Sequence, residues 1–222
     1  MAELIIIGAG GHARETAQLV KDLNRVQPTW ELLGYVDDNP ALQGSIQNGF
    51  PVLGPLDELL NQSTYNRAQF IVAIGNSQVR RRMIARLRET YPQLTYATLI
   101  HPTAVIGDET VIGAGTMIAA NSVVTTNISI GEHVIINYGC TIGHDSKLEN
   151  FATILPGCNL SGNVTIREAA DIGTGCAVIP SVEIGEATVV GAGAVVTRSL
   201  PAYCTAVGVP AKPIKFSKME RE

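Results

Sequence analysis

Residues 105–134 read VIGDET VIGAGT MIAANS VVTTNI SIGEHV, and the repeat in them decides the fold. Continued through IINYGC, TIGHDS, KLENFA, TILPGC, NLSGNV, TIREAA, DIGTGC, AVIPSV, EIGEAT, VVGAGA and VVTRSL, it makes 16 hexapeptides over residues 105–200 without an insertion. The second position is Ile, Val or Leu in all 16. The sixth is Thr, Ser, Ala, Cys, Val or Ile in every hexapeptide but the last, which has Leu200. The preceding LIHPTA, from Leu99, fits as well. A helix repeats near 3.6 residues and a simple strand at 2. A period of six with one aliphatic and one small residue describes a short strand and a turn, laid down as successive sides of a triangular coil. Three hexapeptides close one coil of 18 residues. The aliphatic side chains point inward and stack on their copies about 4.8 Å along the axis. Gly and Asn near the corners accept the backbone angles needed there.

This register places individual side chains. Cys140, Cys158 and Cys176 are spaced by 18 and all occupy the sixth position, so they form an interior column. It reads as three small buried side chains rather than a metal site. In TIGHDS the inward aliphatic is Ile142, so His144 and Asp145 fall on a corner and point outward. A histidine there costs the core nothing and is free to reach a substrate. Asn137 precedes His144 by seven residues, about 140° of an 18-residue coil, and so belongs to a different corner.

The composition suits a tightly turned, β-rich protein: 222 residues, 45% hydrophobic, only 16% charged, with 22 glycines. A net charge of −4 argues against nucleic acid as a partner. The N-terminal MAELIIIGAGG has no basic region ahead of its apolar run and reads as a strand entering a turn, not a signal peptide. No apolar stretch reaches the ~18 residues of a membrane span. The expected location is the cytoplasm, with reduced thiols.

Residues 1–97 read as a separate α/β domain, ahead of the coiled domain at 98–222. ELIIIGAGGHA is a buried strand and a glycine turn, ARETAQLVKDLN an amphipathic helix, and WELLGYVDD a second strand. PLDELLNQ is a short helix, FIVAIGN a third buried strand, and SQVRRRMIARLRETY a helix with Met83, Leu87 and Tyr91 inward. The strand LTYATLI leads out to the hexapeptides. Alternation of strand and helix implies a small parallel, Rossmann-like sheet. GAGGHA, Gly8 to Ala13, has the G-x-G-x-x-A spacing between strand and helix that brings backbone N–H groups to a phosphate. Asp37 ends the second strand, where an acid takes a ribose hydroxyl. A tight turn needing glycine only for packing is the competing reading. Arg80, Arg81, Arg82, Arg86 and Arg88 read as a solvated helix face.

With IIIGAGGHA, YVDD, FIVAIGNSQVRR, IHPTAVIG, INYGCTIGHD, SGNVTI and GVPAK in place, nearly the whole chain resembles the hexapeptide-repeat nucleotide-sugar N-acetyltransferases and the sialic acid O-acetyltransferase-like proteins. The resemblance implies a left-handed parallel β-helix, an exception to the right-handed crossover rule, assembled as a homotrimer. It implies acetyl-CoA as co-substrate, bound at subunit interfaces, and no metal. Gly10, Gly11, His12, Asp37, Asp38 and Gly75 match positions that hold the nucleotide sugar, and Asn137 one near the sugar. His144 matches the catalytic histidine, followed here by Asp145 where members often have Glu. Thr153, Gly162, Thr174 and Ala192 match acetyl-CoA positions, although Thr153 stands where some members have a second histidine.

The implied reaction is direct acetyl transfer, with neutral His144 taking the proton of a sugar amine as it attacks the thioester. General-base help of this kind gives about 10²–10⁴-fold. A UDP-4-amino sugar is the expected acceptor; a GDP-amino sugar or a sialic acid hydroxyl would use a similar site. An NAD-dependent oxidoreductase would explain the glycine motif but not the hexapeptides. A zinc hydratase needs converging histidines, and His101, His133 and His144 lie at different phases of the coil.

Overall fold

The computed structural model describes residues 1–217; the last five residues of the second domain, 218–222, lie outside the described residues. The N-terminal unit is a five-stranded sheet with helices packed on it. Its elements are β1 (Ala2–Ile7), α1 (Gly11–Val26), β2 (Trp30–Val36), β3 (Ile46–Gln47), β4 (Phe50–Gly54), α2 (Leu56–Leu60), β5 (Gln69–Val72) and α3 (Ser77–Thr90). The order β3-β4-β2-β1-β5 is parallel except for the β3–β4 hairpin, which the sequence reading had missed. That hairpin turns on Asn48 and Gly49, both at positive φ, the dipeptide that tight hairpins favour. LTYATLI is not one strand. Tyr96 bridges to Phe70 of the sheet, and Leu99–Ile100 already belongs to the coils.

From Leu99 the chain winds as a three-sided parallel β-helix, each side a ladder of two-residue strands. Partners are 18 residues apart, as in Ile118, Ile136, Ile154 and Ile172. The first face runs from Leu99–Ile100 through strands starting at Met117, Ile135, Thr153, Asp171 and Val189. It ends in an antiparallel hairpin, Cys204–Val207 with Lys212–Phe216. The second face has strands starting at Val105, Val123, Thr141, Asn159, Ala177 and Val195, and the third at Val111, Ser129, Lys147, Thr165 and Glu183. The inward aliphatics form one contiguous core.

The fifth position of each hexapeptide from 109 to 193 takes positive φ, for instance Glu109, Gly115, Asn121, Asn127, His133 and Gly139. The sixth position is more than small. Ser122 Oγ donates to the Asn137 carbonyl (2.7 Å), Cys140 Sγ to Leu155 (3.2 Å), Cys158 Sγ to Gly173 (3.0 Å) and Cys176 Sγ to Gly191 (3.1 Å). Thr, Ser and Cys recur there because a short donor satisfies a corner carbonyl that the ladders leave free. The three cysteines are buried thiols.

The N-terminal unit sits on the first face. Met117 and Ile135 pack under Ala13 and Ala17 of α1, and Phe151 and Ala169 join Ile84 and Leu87 of α3. Full burial of an aliphatic side chain of this size stabilises by about 1.5–3 kcal/mol. The arginines of α3 are a correction. Arg80 is 1% exposed, Arg81 bridges Glu168 (3.3 Å) and Glu186 (2.9 Å), Arg86 pairs with Asp57, and Arg88 pairs with Glu132. The fully buried line of α3 is Ser77, Arg80, Ile84 and Leu87, with Met83 and Tyr91 only half-buried. The helix is rotated by about one residue from the expected phase because the β-helix offers carbonyls and carboxylates as well as an apolar floor.

Candidate active site

The turn after β1 leads straight into α1, whose N-cap is Gly10 with no side-chain cap. The first N–H groups of α1 are therefore open to an anion, in the positive field of a helix start. Gly8 answers the packing explanation of the glycines: it has φ +103° and lies 3.2 Å, measured from its would-be Cβ, from the Ala73 carbonyl. Gly10, Gly11 and Gly75 do not, since a Cβ on any of them meets nothing within 4 Å. The space beside each is open. Beside it, Asp37 accepts the N–H of Ala9 (2.8 Å) on one oxygen and of Asn39 (2.9 Å) on the other. Asp38 accepts the N–H of Leu56 at the start of α2 (2.9 Å). Gly8, Asp37, Asp38, Leu56, Ile74 and Met83 help line a cleft of about 200 Å³. Both aspartates thus shape the cleft as well as face it.

His12, in the first turn of α1, points the other way, into a small cavity against the β-helix. Asn137 and Tyr138 line the same cavity, with Glu15. The His12 Nδ1 lies 3.5 Å from Glu15 Oε2, and Nε2 is buried without a hydrogen-bond partner among the described residues. Burial lowers its pKa, opposed by Glu15. The structure therefore joins His12 to Asn137, two residues the sequence could not bring together by pattern. Glu15 and Tyr138 were not singled out from the sequence; Tyr138 carries a signal only in hindsight, as an exposed aromatic at a corner.

His144 lies at the corner between the second and third faces, with its side chain 65% exposed. Its Nδ1 is 2.7 Å from Asp145 Oδ2, which sits at φ 59° in the fifth position of its hexapeptide. The hydrogen bond from His144 holds the Asp145 carboxyl below its ordinary pKa, helped by Asn127. In the neutral tautomer whose Nδ1–H points at that carboxylate, Nε2 is an acceptor facing outward. Nε2 stands over Gly162, one coil on, and only 2.5 Å from where a Cβ on Gly162 would be.

The expected acetyl-CoA positions divide. Gly162 shares the His144 corner. Thr174 and Ala192 are exposed on the corner between the first and second faces, in the row of Tyr138, next to that of Asn137. Thr153 stands apart: it is 2% exposed, on the face under α3, and its hydroxyl accepts a hydrogen bond from Arg80 (2.8 Å). Its side chain offers no surface to a cofactor. Among the described residues, no group of three or more His, Cys, Asp or Glu is placed to hold a metal ion, and no helix is long and apolar enough to cross a membrane.

Residues 3–87 match the model of the PglD N-terminal domain, and residues 109–144 that of the bacterial transferase hexapeptide, six repeats. The acetyltransferase domain of PglB from Neisseria gonorrhoeae is 35% identical over 96% of this chain and 100% of its own, with a TM-score of 0.87. The chain belongs to the nucleotide-sugar N-acetyltransferase family. A mutant of perosamine N-acetyltransferase from Caulobacter crescentus, solved with CoA and GDP-perosamine, is 31% identical over 97% of this chain and 98% of its own, TM-score 0.88. WeeI from Acinetobacter baumannii is 30% identical over 96% and 100%, TM-score 0.85. A search of curated protein sequences returns no match. As a family member, the chain has an α/β domain followed by a left-handed β-helix.

Proposed function

We propose that the protein transfers the acetyl group of acetyl-CoA to the amine of a nucleotide-linked amino sugar, with His144 as general base. The observation that carries this is the His144–Asp145 pair, 2.7 Å apart, on an exposed corner with Nε2 free above Gly162. The amine nitrogen attacks the thioester carbon, and His144 Nε2 takes its proton. The C–S bond breaks, and the proton is handed to the departing thiolate. Asp145 holds the ring and stabilises the imidazolium. The open glycine turn and α1 N-terminus take the diphosphate, and the Asp37–Asp38 cleft takes the nucleoside.

The acceptor in this reading is a UDP-4-amino sugar. A GDP-linked one is the second reading, favoured by the GDP-perosamine held in the Caulobacter relative. An assay of CoA thiol release with UDP- and GDP-amino sugars, beside the free sugars, decides between them. Turnover of a free sialic acid but of neither nucleotide sugar would overturn the proposal.

The working unit is a homotrimer with sites shared between chains. His144 and Gly162 lie on one edge of the second face; Asn137, Thr174 and Ala192, with His12 nearby, lie on the other. Outward residues of that face are uncharged: Val105, Val123, Thr141, Asn159, Ala177 and Val195. The first face is covered by the N-terminal unit, and the third carries the ion pairs Lys147–Glu149, Arg167–Glu149 and Arg167–Glu183. Turning three second faces toward a threefold axis brings the His144 edge of each chain to the Asn137 edge of the next. Mixing unfolded His144→Ala and Asn137→Ala subunits and refolding them together should restore activity. Verified mixed trimers as inactive as either parent would place both residues' work within one chain.

A further inference from the structure

We propose that Arg80 is a positioning residue: it holds the Ile74–Gly75 loop of the nucleotide cleft at a fixed place relative to the coil that carries His144. The inference rests on the nucleotide-sugar reading of that cleft. All five donors of the Arg80 guanidinium are used. Nε donates to the His133 carbonyl (2.9 Å), and Nη1 to the carbonyls of Ile74 (2.7 Å) and Gly75 (3.1 Å). Nη2 donates to the Phe151 carbonyl (2.7 Å) and to Thr153 Oγ1 (2.8 Å). Two acceptors are on the loop after β5. Three are on the β-helix, and Thr153 follows His144 by nine residues in the same coil.

A buried cation is a costly way to fill space. Burial holds the Arg80 pKa down to about 10, with Asp171 opposing, so the side chain is still a cation at neutral pH. Leu or Met would fill the same volume without desolvating a charge. What neither can do is tie two adjacent carbonyls of one unit and three acceptors of another to a single rigid group. A guanidinium does this because its donors point in fixed directions. The tie has a neighbour: Ser77 Oγ, at the start of α3, lies 2.9 Å from both the Ala169 carbonyl and Asp171 Oδ2. The N-terminal end of α3 and the loop before it are thus referenced to the β-helix by a buried polar network, whereas α1 is seated mainly on apolar side chains, with Asp22–His101 (3.5 Å) and Thr16 Oγ1–Met117 Sδ (3.4 Å) beside them. Apolar seating tolerates small slides; this network does not. The loop so held carries Ile74, which lines the cleft, and Gly75, on which a Cβ would meet nothing within 4 Å.

The test uses the full chain with Arg80→Lys, Thr153→Val and Thr153→Ser. Lysine keeps the charge but has three donors on one atom. Valine keeps the shape of Thr153 and removes one acceptor, and serine restores it. The readouts are hydrogen exchange at amides 74–77, and calorimetric affinity for UDP, GDP and CoA. In Arg80→Lys the loop amides should exchange faster while the β-helix amides stay protected. Whichever of UDP or GDP the wild type binds should bind about tenfold more weakly, because only a fraction of molecules then holds the loop in place. Thr153→Val should show about a threefold loss by the same route, Thr153→Ser should recover it, and CoA affinity should change by less than about twofold. Wild-type loop exchange in folded Thr153→Val overturns the proposal, and so does a parallel loss of CoA affinity. If the wild type binds neither UDP nor GDP, the nucleotide reading fails, and the exchange comparison still decides the role of Arg80. If Arg80→Lys does not fold, the Val and Ser pair at 153 decides alone.

Discussion

Gly162→Ala isolates the placement of His144 from its chemistry. The new Cβ would stand 2.5 Å from His144 Nε2, 2.6 Å from Cε1 and 3.0 Å from Cδ2. Ordinary contact begins near ~3.5 Å, so the ring must move by about 1 Å. These three nearest atoms all belong to the imidazole, which is largely exposed and can yield, and Gly162 is not among the residues at positive φ. Stability should therefore hold within about 0.5 kcal/mol. The displaced ring loses its 2.7 Å geometry to Asp145 and its line to the amine. A misplacement of that size costs about 10²-fold in rate, or roughly 2.7 kcal/mol of barrier. The assay is kcat from CoA thiol release, with thermal melting and CoA affinity alongside. A double mutant separates the causes. If Gly162 acts through the ring, His144→Ala/Gly162→Ala is no slower than His144→Ala. A wild-type rate in Gly162→Ala would refute the argument. So would a double mutant about tenfold slower than His144→Ala with weakened CoA binding, which would make Gly162 a cofactor contact.

His144→Ala should lower kcat at least ~100-fold with CoA affinity nearly unchanged, since no core cavity forms; calorimetry and turnover check the two halves. Asp37→Ala should raise KM for the nucleotide sugar and leave that for acetyl-CoA alone. It should also lower the melting temperature, because Ala9 and Asn39 lose a charged acceptor worth about 1.5–3 kcal/mol per bond. His133 should contribute to acid lability. It is 1% exposed, both ring nitrogens lack partners among the described residues, and burial, then Arg88 and Arg80, bring its pKa to about 3. The unfolded chain holds its proton up to the ordinary 6.5. Between those values it binds one proton more than the folded chain, so stability is full above 6.5 and falls with pH by about 1.4 kcal/mol per unit. His133→Phe keeps the ring between Phe151 and Tyr96 and should flatten that fall in denaturation at pH 4 against pH 7; an unchanged slope would assign acid lability elsewhere.

The coils were legible because their contacts are translations of the sequence. Each inward residue meets its copy 18 places on, so register, core and corner follow from counting. The β3–β4 hairpin was legible too, through Asn48-Gly49, and was passed over because the flanking strands are short. Arg80 was not legible. Five arginines on one helix suggest solvent, and the buried cation is tenable because distant acceptors, the carbonyls of His133 and Phe151 and the hydroxyl of Thr153, join those of Ile74 and Gly75 around it. The meeting of His12 with Asn137 is equally non-local: each entered the sequence reading separately, through family resemblance, and nothing in the sequence paired them.

Periodicity also explains why the two halves of the expected site stand apart. A three-sided coil returns to the same corner only after 18 residues. Gly162, 18 beyond His144, shares its corner; Asn137, seven before it, does not. Lengthening the repeat array adds copies of each corner but never moves one corner onto another. Convergence of Asn137 with His144 must come from a second chain, or from the N-terminal unit bridging a whole face. That unit stops at the Asn137 corner, where His12 lies, and covers the first face rather than the second. The uncharged second face, with one half-site along each edge, is what the proposed threefold assembly uses. In that proposed assembly, the rotation that would bury Val105, Val123 and Val195 at the axis would also carry each half-site to its complement. Placing a charge at the centre of that face, as in Thr141→Lys, should therefore cost assembly and activity together, since neither half of the site acts alone.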